Sequence, residues 1–281
     1  MAGRILISMK ELGNYYEDSP ELTTMSGLPD FLKMLKKENN RGSNMNKTIG
    51  IIGGMGPKAT CDLMEKIIKL SDAHKDQDYV RICVDCNTNI PDRTQAILDG
   101  GADPLPELVK SGIRLQDMGS DVLIMPCNTA HYYYDKLIPF FEIPILHMPV
   151  ETAKLLEKEN TNVVGVLATD GTIKSGVYET ALKQHNIEAV YPEEKEQKRI
   201  MSLIYECIKS GKNNVDDYHL SKIIELLYEK GAEKIILGCT ELPIAFGLAK
   251  VNGNFVDPTE ILAYSALRYL NKCDHNNGIP G

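Results

Sequence analysis

An apolar run that ends in a cysteine and a threonine occurs twice in this chain. Val122-Leu-Ile-Met-Pro-Cys127-Asn-Thr129 is matched by Ile235-Ile-Leu-Gly-Cys239-Thr240, and the two cysteines lie 112 positions apart. A second pair of runs stands at nearly the same offset. Gly50-Ile-Ile-Gly-Gly-Met-Gly56 corresponds to Gly165-Val-Leu-Ala-Thr-Asp-Gly171, 115 positions on. Short apolar runs match by coincidence often enough for one pair to mean little. Two anchors at nearly one offset indicate two homologous halves of about 110 residues, each presenting one cysteine at an equivalent place.

The pattern between the anchors says what the halves are built from. Short apolar runs predict strands over 48–53, 79–85, 121–125, 163–168, 187–191 and 234–237. Stripes at helical spacing fall between them, such as Leu63, Met64, Ile67 and Ile68. Pro104 opens a helix whose apolar positions are Leu105, Leu108, Val109 and Leu115, with Gly119 past its end. Further helices are expected at 194–210 and 216–230, and a last one from Pro258. Strand and helix alternating in this way predict an α/β fold with mainly parallel, helix-covered sheets.

Composition narrows the function classes. The 281 residues are 43% hydrophobic and 25% charged, which suits a globular chain and excludes a low-complexity one. The net charge of −8 and the absence of Trp argue against nucleic acid as a partner, since phosphate binding needs a basic face. No apolar run approaches the length of a membrane span, so no membrane partner is expected. The seven cysteines are odd in number and irregular in spacing, and no secretory signal is evident. A reducing, cytoplasmic setting is the expectation, with thiols free, metal-bound or catalytic. Residues 1–44 carry six basic and six acidic side chains and stand apart from the repeating pattern. They read as an extension with a short helix over 28–37, either joined on at Gly42-Ser43 or serving as a native regulatory arm.

Cys127 and Cys239 each follow an apolar strand directly. In open α/β sheets ligands bind beyond the carboxyl ends of the strands. A cysteine there also sits near the start of the next helix, whose positive end favours thiolate. Asn128, Thr129 and Thr240 add hydroxyl, amide and backbone donors for an anion. One such cysteine is most often a small buried hydrophobe; two at equivalent places, with polar residues attached, point to chemistry. Two thiols facing each other across a cleft suit the inversion of a carbon acid. One takes a proton from one face and the other returns a proton to the opposite face, with no cofactor. Donors aimed at the substrate carboxylate stabilise the charge that builds there. Arg93 is a candidate for that task, because Arg recognises carboxylates bidentately; a salt bridge with Asp92 is its plainer reading.

A set of local motifs goes further. Gly53-Gly-Met-Gly-Pro57 with Ala59-Thr60, Ile90-Pro-Asp-Arg-Thr94, Met125-Pro-Cys-Asn-Thr-Ala-His131 and Gly238-Cys-Thr-Glu241 occur in order, as do Gly171-Thr-Ile173 with Ser175-Gly-Val-Tyr178, and Tyr205-Glu206 with Lys209 and Gly211. Together they resemble the PLP-independent aspartate/glutamate racemases, in the aspartate racemase branch, over about residues 46–273. The resemblance implies two pseudo-symmetric three-layer αβα domains with the active site in the cleft between them. The first is expected to comprise 45–149 with 256–273 and the second 150–255, leaving 274–281 as a tail. It implies that Cys127 and Cys239 are the two bases and that no cofactor or metal takes part. Arg93 and Lys209, on loops entering the cleft, are expected to hold the substrate carboxylates. Asn128, Thr129, Thr172 and Thr240 are expected to touch the amino acid. A homodimer is expected as well. Lys209 alone reads as a charge at a helix end before Gly211, so its role rests on the resemblance. Aspartate is favoured because glutamate racemases usually carry Asp-Ser-Gly after the first strand and Cys-Thr-His at the second cysteine, where this chain has Gly53-Gly54-Met55 and Cys239-Thr240-Glu241. A glutamate or broad-specificity racemase is the alternative.

Other local signals are weaker. Gly54-Met-Gly56-Pro-Lys-Ala59 fits the dinucleotide pattern G-x-G-x-x-A, but Pro57 removes an N–H that a pyrophosphate needs, and the acidic residue Asp85 comes late. Cys83 and Cys86 form a C-x-x-C with no second pair, so buried residues are a better reading than zinc ligands. His131 falls four residues after Cys127, where a helix would place both on one face; a capped surface histidine is an equal reading. A two-domain binding protein that closes on a small ligand explains the repeat, but gives no reason for a cysteine at both strand ends.

Overall fold

The structure is a computed structural model that describes residues 47–212, 214–249 and 251–272. The expected helix over 28–37, the rest of the 1–44 extension and the tail 274–281 lie outside the described residues.

β1 (Thr48–Gly53) is buried along its whole length, as the central strand of a parallel sheet covered on both faces must be. It pairs in parallel with β2 (Arg81–Cys86) on one side and β3 (Val122–Ile124) on the other. A second sheet repeats the arrangement. β4 (Val163–Ala168) is flanked in parallel by β5 (Glu188–Val190) and β6 (Lys234–Gly238), and the short β7 (Phe255–Val256) extends it beyond β6. The strand orders are β2-β1-β3 and β5-β4-β6-β7. The 115-residue offset between the glycine-bearing runs is therefore the offset between the two central strands, which are equally long. β2 begins two residues later than its apolar run suggests, because Tyr79 is an exposed cap before it.

The helices close both faces of each sheet. In the first half α1 (Pro57–Leu70) places Leu63 and Ile67 against Ile49 and Ile51. On the opposite face, α2 (Arg93–Leu98) is followed by α3 (Leu105–Asp117), whose Leu108 and Leu115 meet Ile52 and Leu123. A short α4 (Tyr134–Leu137) follows β3, and α5 (Met148–Lys158) leads into β4. In the second half α6 (Asp170–Ser175) and α7 (Val177–Gln184) follow β4, with Tyr178 and Leu182 packed on Val164 and Val166. α8 (Glu194–Ser202) continues into a π-helical segment, Leu203–Lys209, and α9 (Asp217–Glu229) sets Ile223, Ile224 and Leu227 against Ile235 and Leu237. α10 (Glu241–Leu248) follows the second cysteine. α11 (Pro258–Tyr269) then returns to the first half, where Leu262, Ala266 and Leu267 pack on Ile49 and Leu63. α3 and α9, each of 13 residues, are spaced by the same 112 positions as the two cysteines.

One contact draws the halves together. Gly171 on α6 lies so near α2 that an added Cβ would stand 2.8 Å from the Thr94 Cα. Only a residue without a side chain permits that approach. Cys83 is buried and Cys86 exposed on β2, so the C-x-x-C spacing puts the two thiols on opposite faces of a strand. Among the described residues no group of three His, Cys, Asp or Glu side chains is placed to hold a metal ion. No described helix is long and apolar enough to cross a membrane.

Candidate active site

Both cysteines sit just beyond the carboxyl ends of parallel strands, Cys127 three residues after β3 and Cys239 immediately after β6. They line one cleft, and both are buried. Arg93, Lys209, Asn128, Thr129 and Thr240 share the same walls, so seven of the eight expected residues come together there. The cleft is nearly closed. About 10 Å³ of it admits a water-sized sphere, roughly the room of a single water molecule. An amino acid enters only after the walls part.

The eighth residue, Thr172, stands behind the wall. Its hydroxyl is 2.7 Å from that of Thr129 and 3.0 Å from that of Thr169. Thr169 in turn lies 3.1 Å from Thr129 and 3.4 Å from Thr94. Four hydroxyls thus form one cluster, two from each half, in which Thr172 joins the cleft wall through Thr129 and Thr169. Thr169 faces the cleft instead. The repeat marks it, because Thr169 occupies the place of Gly54 in the first half.

Arg93 and Lys209 are on helix ends rather than on loops. Arg93 is the first residue of α2, which Asp92 caps by accepting the Gln95 N–H. Its guanidinium donates to the carbonyls of Pro91, Ile90 and Met55. Its Nε is buried and has no protein partner. Burial works against the charge, but the Cys127 sulfur and Asp92 beside it hold the guanidinium protonated, above its ordinary range. Lys209 ends the π-helical segment, with its ammonium 4.3 Å from the centre of the Tyr205 ring. Burial again opposes the charge, and Glu241 with Cys239 more than restores it. Tyr205, whose hydroxyl donates to Asp92 across the mouth of the cleft at 3.2 Å, spans the two halves.

The two thiols have different partners. The Cys239 thiol donates to Glu241 Oε2 at 3.0 Å, and Thr240 donates to the same oxygen. Burial pushes this thiol well above its ordinary range, Glu241 pushes in the same direction, and Lys209 pulls against both. The helix-start argument predicts a depressed thiol here; loss of solvation and a neighbouring carboxylate outweigh the N-terminus of α10. Glu241 is visible in the sequence only as a departure from Cys-Thr-His, and its contact with the thiol comes from the turn into α10.

His131 is neither on the surface nor beside the thiol. It lies in a 3₁₀ turn, Thr129–Tyr133, 2% exposed. Its Nδ1 donates to the Cys127 carbonyl at 2.9 Å and its Nε2 accepts the Met148 N–H. Burial, helped by His147, drives its pKa down to about 3, so the ring is neutral. It anchors the backbone of Cys127 to the start of α5. The loop after β1 serves packing as well: Thr60 takes the Gly54 N–H and returns its own hydroxyl to the Gly56 carbonyl. That leaves fewer free N–H groups than a pyrophosphate site needs. An added Cβ on Gly54, at φ +91°, would collide with the Asn87 backbone.

Comparisons with known proteins agree with this geometry. The family described as Asp/Glu/Hydantoin racemase matches residues 52–266. The broad-specificity amino-acid racemase RacX of Bacillus subtilis is 29% identical over 235 residues, 78% of this chain and 96% of that protein. The aspartate racemase of Picrophilus torridus shares the fold at a TM-score of 0.68 and 30% identity, covering 81% of this chain and 95% of that one. A glutamate racemase of Persephonella marina is 31% identical over 46% of this chain and 49% of its own length. The match over most of the described residues, with two repeated parallel sheets, makes this chain a member of the Asp/Glu/hydantoin racemase family.

Proposed function

We propose that the protein interconverts L- and D-aspartate without a cofactor, with Cys127 and Cys239 as the two acid–base groups. The observation that carries this reading is that equivalent strand ends of the two halves bring both thiols to one closed cleft between two cations. We read the halves as two domains, 45–149 with 256–273 and 150–255, whose parting admits the substrate.

The unequal partners assign the resting state. Cys239 rests as a thiol, its proton held toward Glu241. In the direction that starts at Cys127, Arg93 beside it serves as counter-ion to the thiolate. Cys127 removes the Cα proton of one enantiomer, and the electron pair moves into the α-carboxylate. Arg93 and Asn128 on one side and Lys209 on the other stabilise that carboxylate and the distal one. Cys239 then gives its proton to the opposite face of Cα. The turn ends with Cys127 as thiol and Cys239 as thiolate, and exchange with solvent through the open cleft restores the start. The opposite enantiomer uses the same steps in reverse.

The test is incubation with L-Asp, D-Asp, L-Glu and D-Glu in D₂O with reductant, followed by chiral chromatography and mass spectrometry. Aspartate should interconvert and gain one deuterium at Cα. Cys127→Ala and Cys239→Ala should each lower racemisation by about 10³-fold or more. Full turnover in either variant would overturn the two-base mechanism. A glutamate or broad-specificity racemase is the second reading, favoured by the alignment with RacX over nearly its whole length. Equal rates on aspartate and glutamate would put it first.

A further inference from the structure

Tyr178 touches the chain neighbour of each cysteine. It belongs to α7, is 1% exposed, and packs among Val164, Val166, Leu182 and Ile236 in the second half. Its hydroxyl donates to Asn128 Oδ1 at 2.6 Å, and Asn128 directly follows Cys127. Its ring lies against Gly238, which directly precedes Cys239; a Cβ added to Gly238 would stand 3.2 Å from the Tyr178 Cε2. One side chain therefore braces both cysteine turns.

The hydroxyl contact has a chemical consequence for Asn128. A carboxamide has an accepting end and a donating end. With Oδ1 taken by Tyr178, Nδ2 turns away from it. Nδ2 is buried and has no protein partner, and Asn128 lines the cleft. A buried donor without an acceptor is costly, and a substrate carboxylate would supply the acceptor. Burial holds the Tyr178 phenol well above its ordinary range, so the donor stays protonated at any working pH. Without it the amide is free to rotate, and its oxygen would then repel the carboxylate.

We propose that Tyr178 is a positioning residue: its hydroxyl fixes the Asn128 carboxamide with Nδ2 aimed at the substrate carboxylate, while its ring spaces the Cys239 turn from the Cys127 turn. The proposal rests on the racemase reading above. A donor fixed in advance acts most where charge grows, so its loss falls on kcat more than on KM.

A double-mutant cycle tests this. Tyr178→Phe keeps the ring and removes the hydroxyl; it should lower kcat about tenfold and raise KM, like the Kd of succinate, by about threefold. Asn128→Ala should cost about 10²-fold. The double variant should be no slower than Asn128→Ala alone, because Tyr178 acts through Asn128. Multiplied losses in the double variant would overturn the proposal. Asn128→Asp keeps the acceptor for Tyr178 and deletes the Nδ2 donor. It should match Asn128→Ala in kcat, and wild-type turnover in it would overturn the proposal even if Tyr178→Phe failed to fold. The same cycle is read on the Kd of succinate by calorimetry, which needs no turnover. Wild-type protein that binds succinate but racemises no amino acid would remove the racemase reading and leave the coupling between Tyr178 and Asn128 to be judged by that Kd.

Discussion

Cys127 and Cys239 hold matching places in two halves that repeat strand for strand, yet their surroundings are not copies. After Cys127 the chain makes a 3₁₀ turn and the buried ring of His131 pins the cysteine carbonyl. After Cys239 it enters α10 directly, and at the place matching His131 stands Pro243. Cys127 interacts with the Arg93 guanidinium, whereas the Cys239 thiol donates to the Glu241 carboxylate. The backbone repeat brings two thiols to one cleft. The broken symmetry of charge holds the proton on Cys239, where burial and Glu241 raise the thiol.

Among changes to the surroundings that distinguish the two cysteines, the largest expected effect comes from erasing that difference in charge. Glu241→Gln removes the carboxylate that raises the Cys239 thiol, so its titration should move to lower pH. Racemisation should fall about tenfold or more. Cys239 should also react faster with iodoacetamide at pH 8, as mass spectrometry of tryptic peptides would show. An unchanged labelling rate would mean that Glu241 does not govern the thiol.

A smaller effect isolates the histidine anchor, which the second half lacks. His131 and His147 titrate at about 3 and about 4 in the folded chain, both lowered chiefly by burial, against about 6.5 unfolded. Between those values the unfolded chain binds more protons, so stability is full above pH 6.5 and is lost as pH falls toward 4 and then 3. At pH 5 the loss is about 2 kcal/mol for each ring. Thermal melts at pH 7 and pH 5 should show it. His147 caps α5 by accepting the Val150 N–H, a task Asn also performs, so His147→Asn should shrink the acid-induced drop in Tm by about half. The smallest effect is none: Cys61 and Cys86 are exposed and outside the cleft. Replacing both with Ser should leave racemisation and its sensitivity to alkylation as they were.

The scaffold was legible in the sequence because burial on both faces of a parallel strand writes an unbroken apolar run, as in Thr48–Gly53 and Val163–Ala168. α5, α6, α7 and α10 were less visible. α6 is a single short turn and α10 is nearly uniformly apolar, so neither carries a readable stripe. The cysteine pair was legible for a different reason: a repeat offset is arithmetic and needs no conformation. The motif marks Thr172 as one of the clustered residues, and the fold sets its hydroxyl against those of Thr129 and Thr169, which line the cleft. Glu241 and Tyr178 were present in the motifs without a role. Their partners, a thiol two residues away and an amide 50 residues away, become neighbours only through the fold.

The four threonine hydroxyls of Thr94, Thr129, Thr169 and Thr172 bear on how such a cleft can work repeatedly. Where the halves meet at its floor, they meet through alcohols that bond one another. An alcohol pair pulled apart is taken up by water at little net cost, because each lost bond is replaced by a similar one. An oily seam in the same place would charge the full cost of wetting at every opening. The seam thus closes firmly enough to shut out solvent and re-wets easily enough to release a product that differs from the substrate only in handedness.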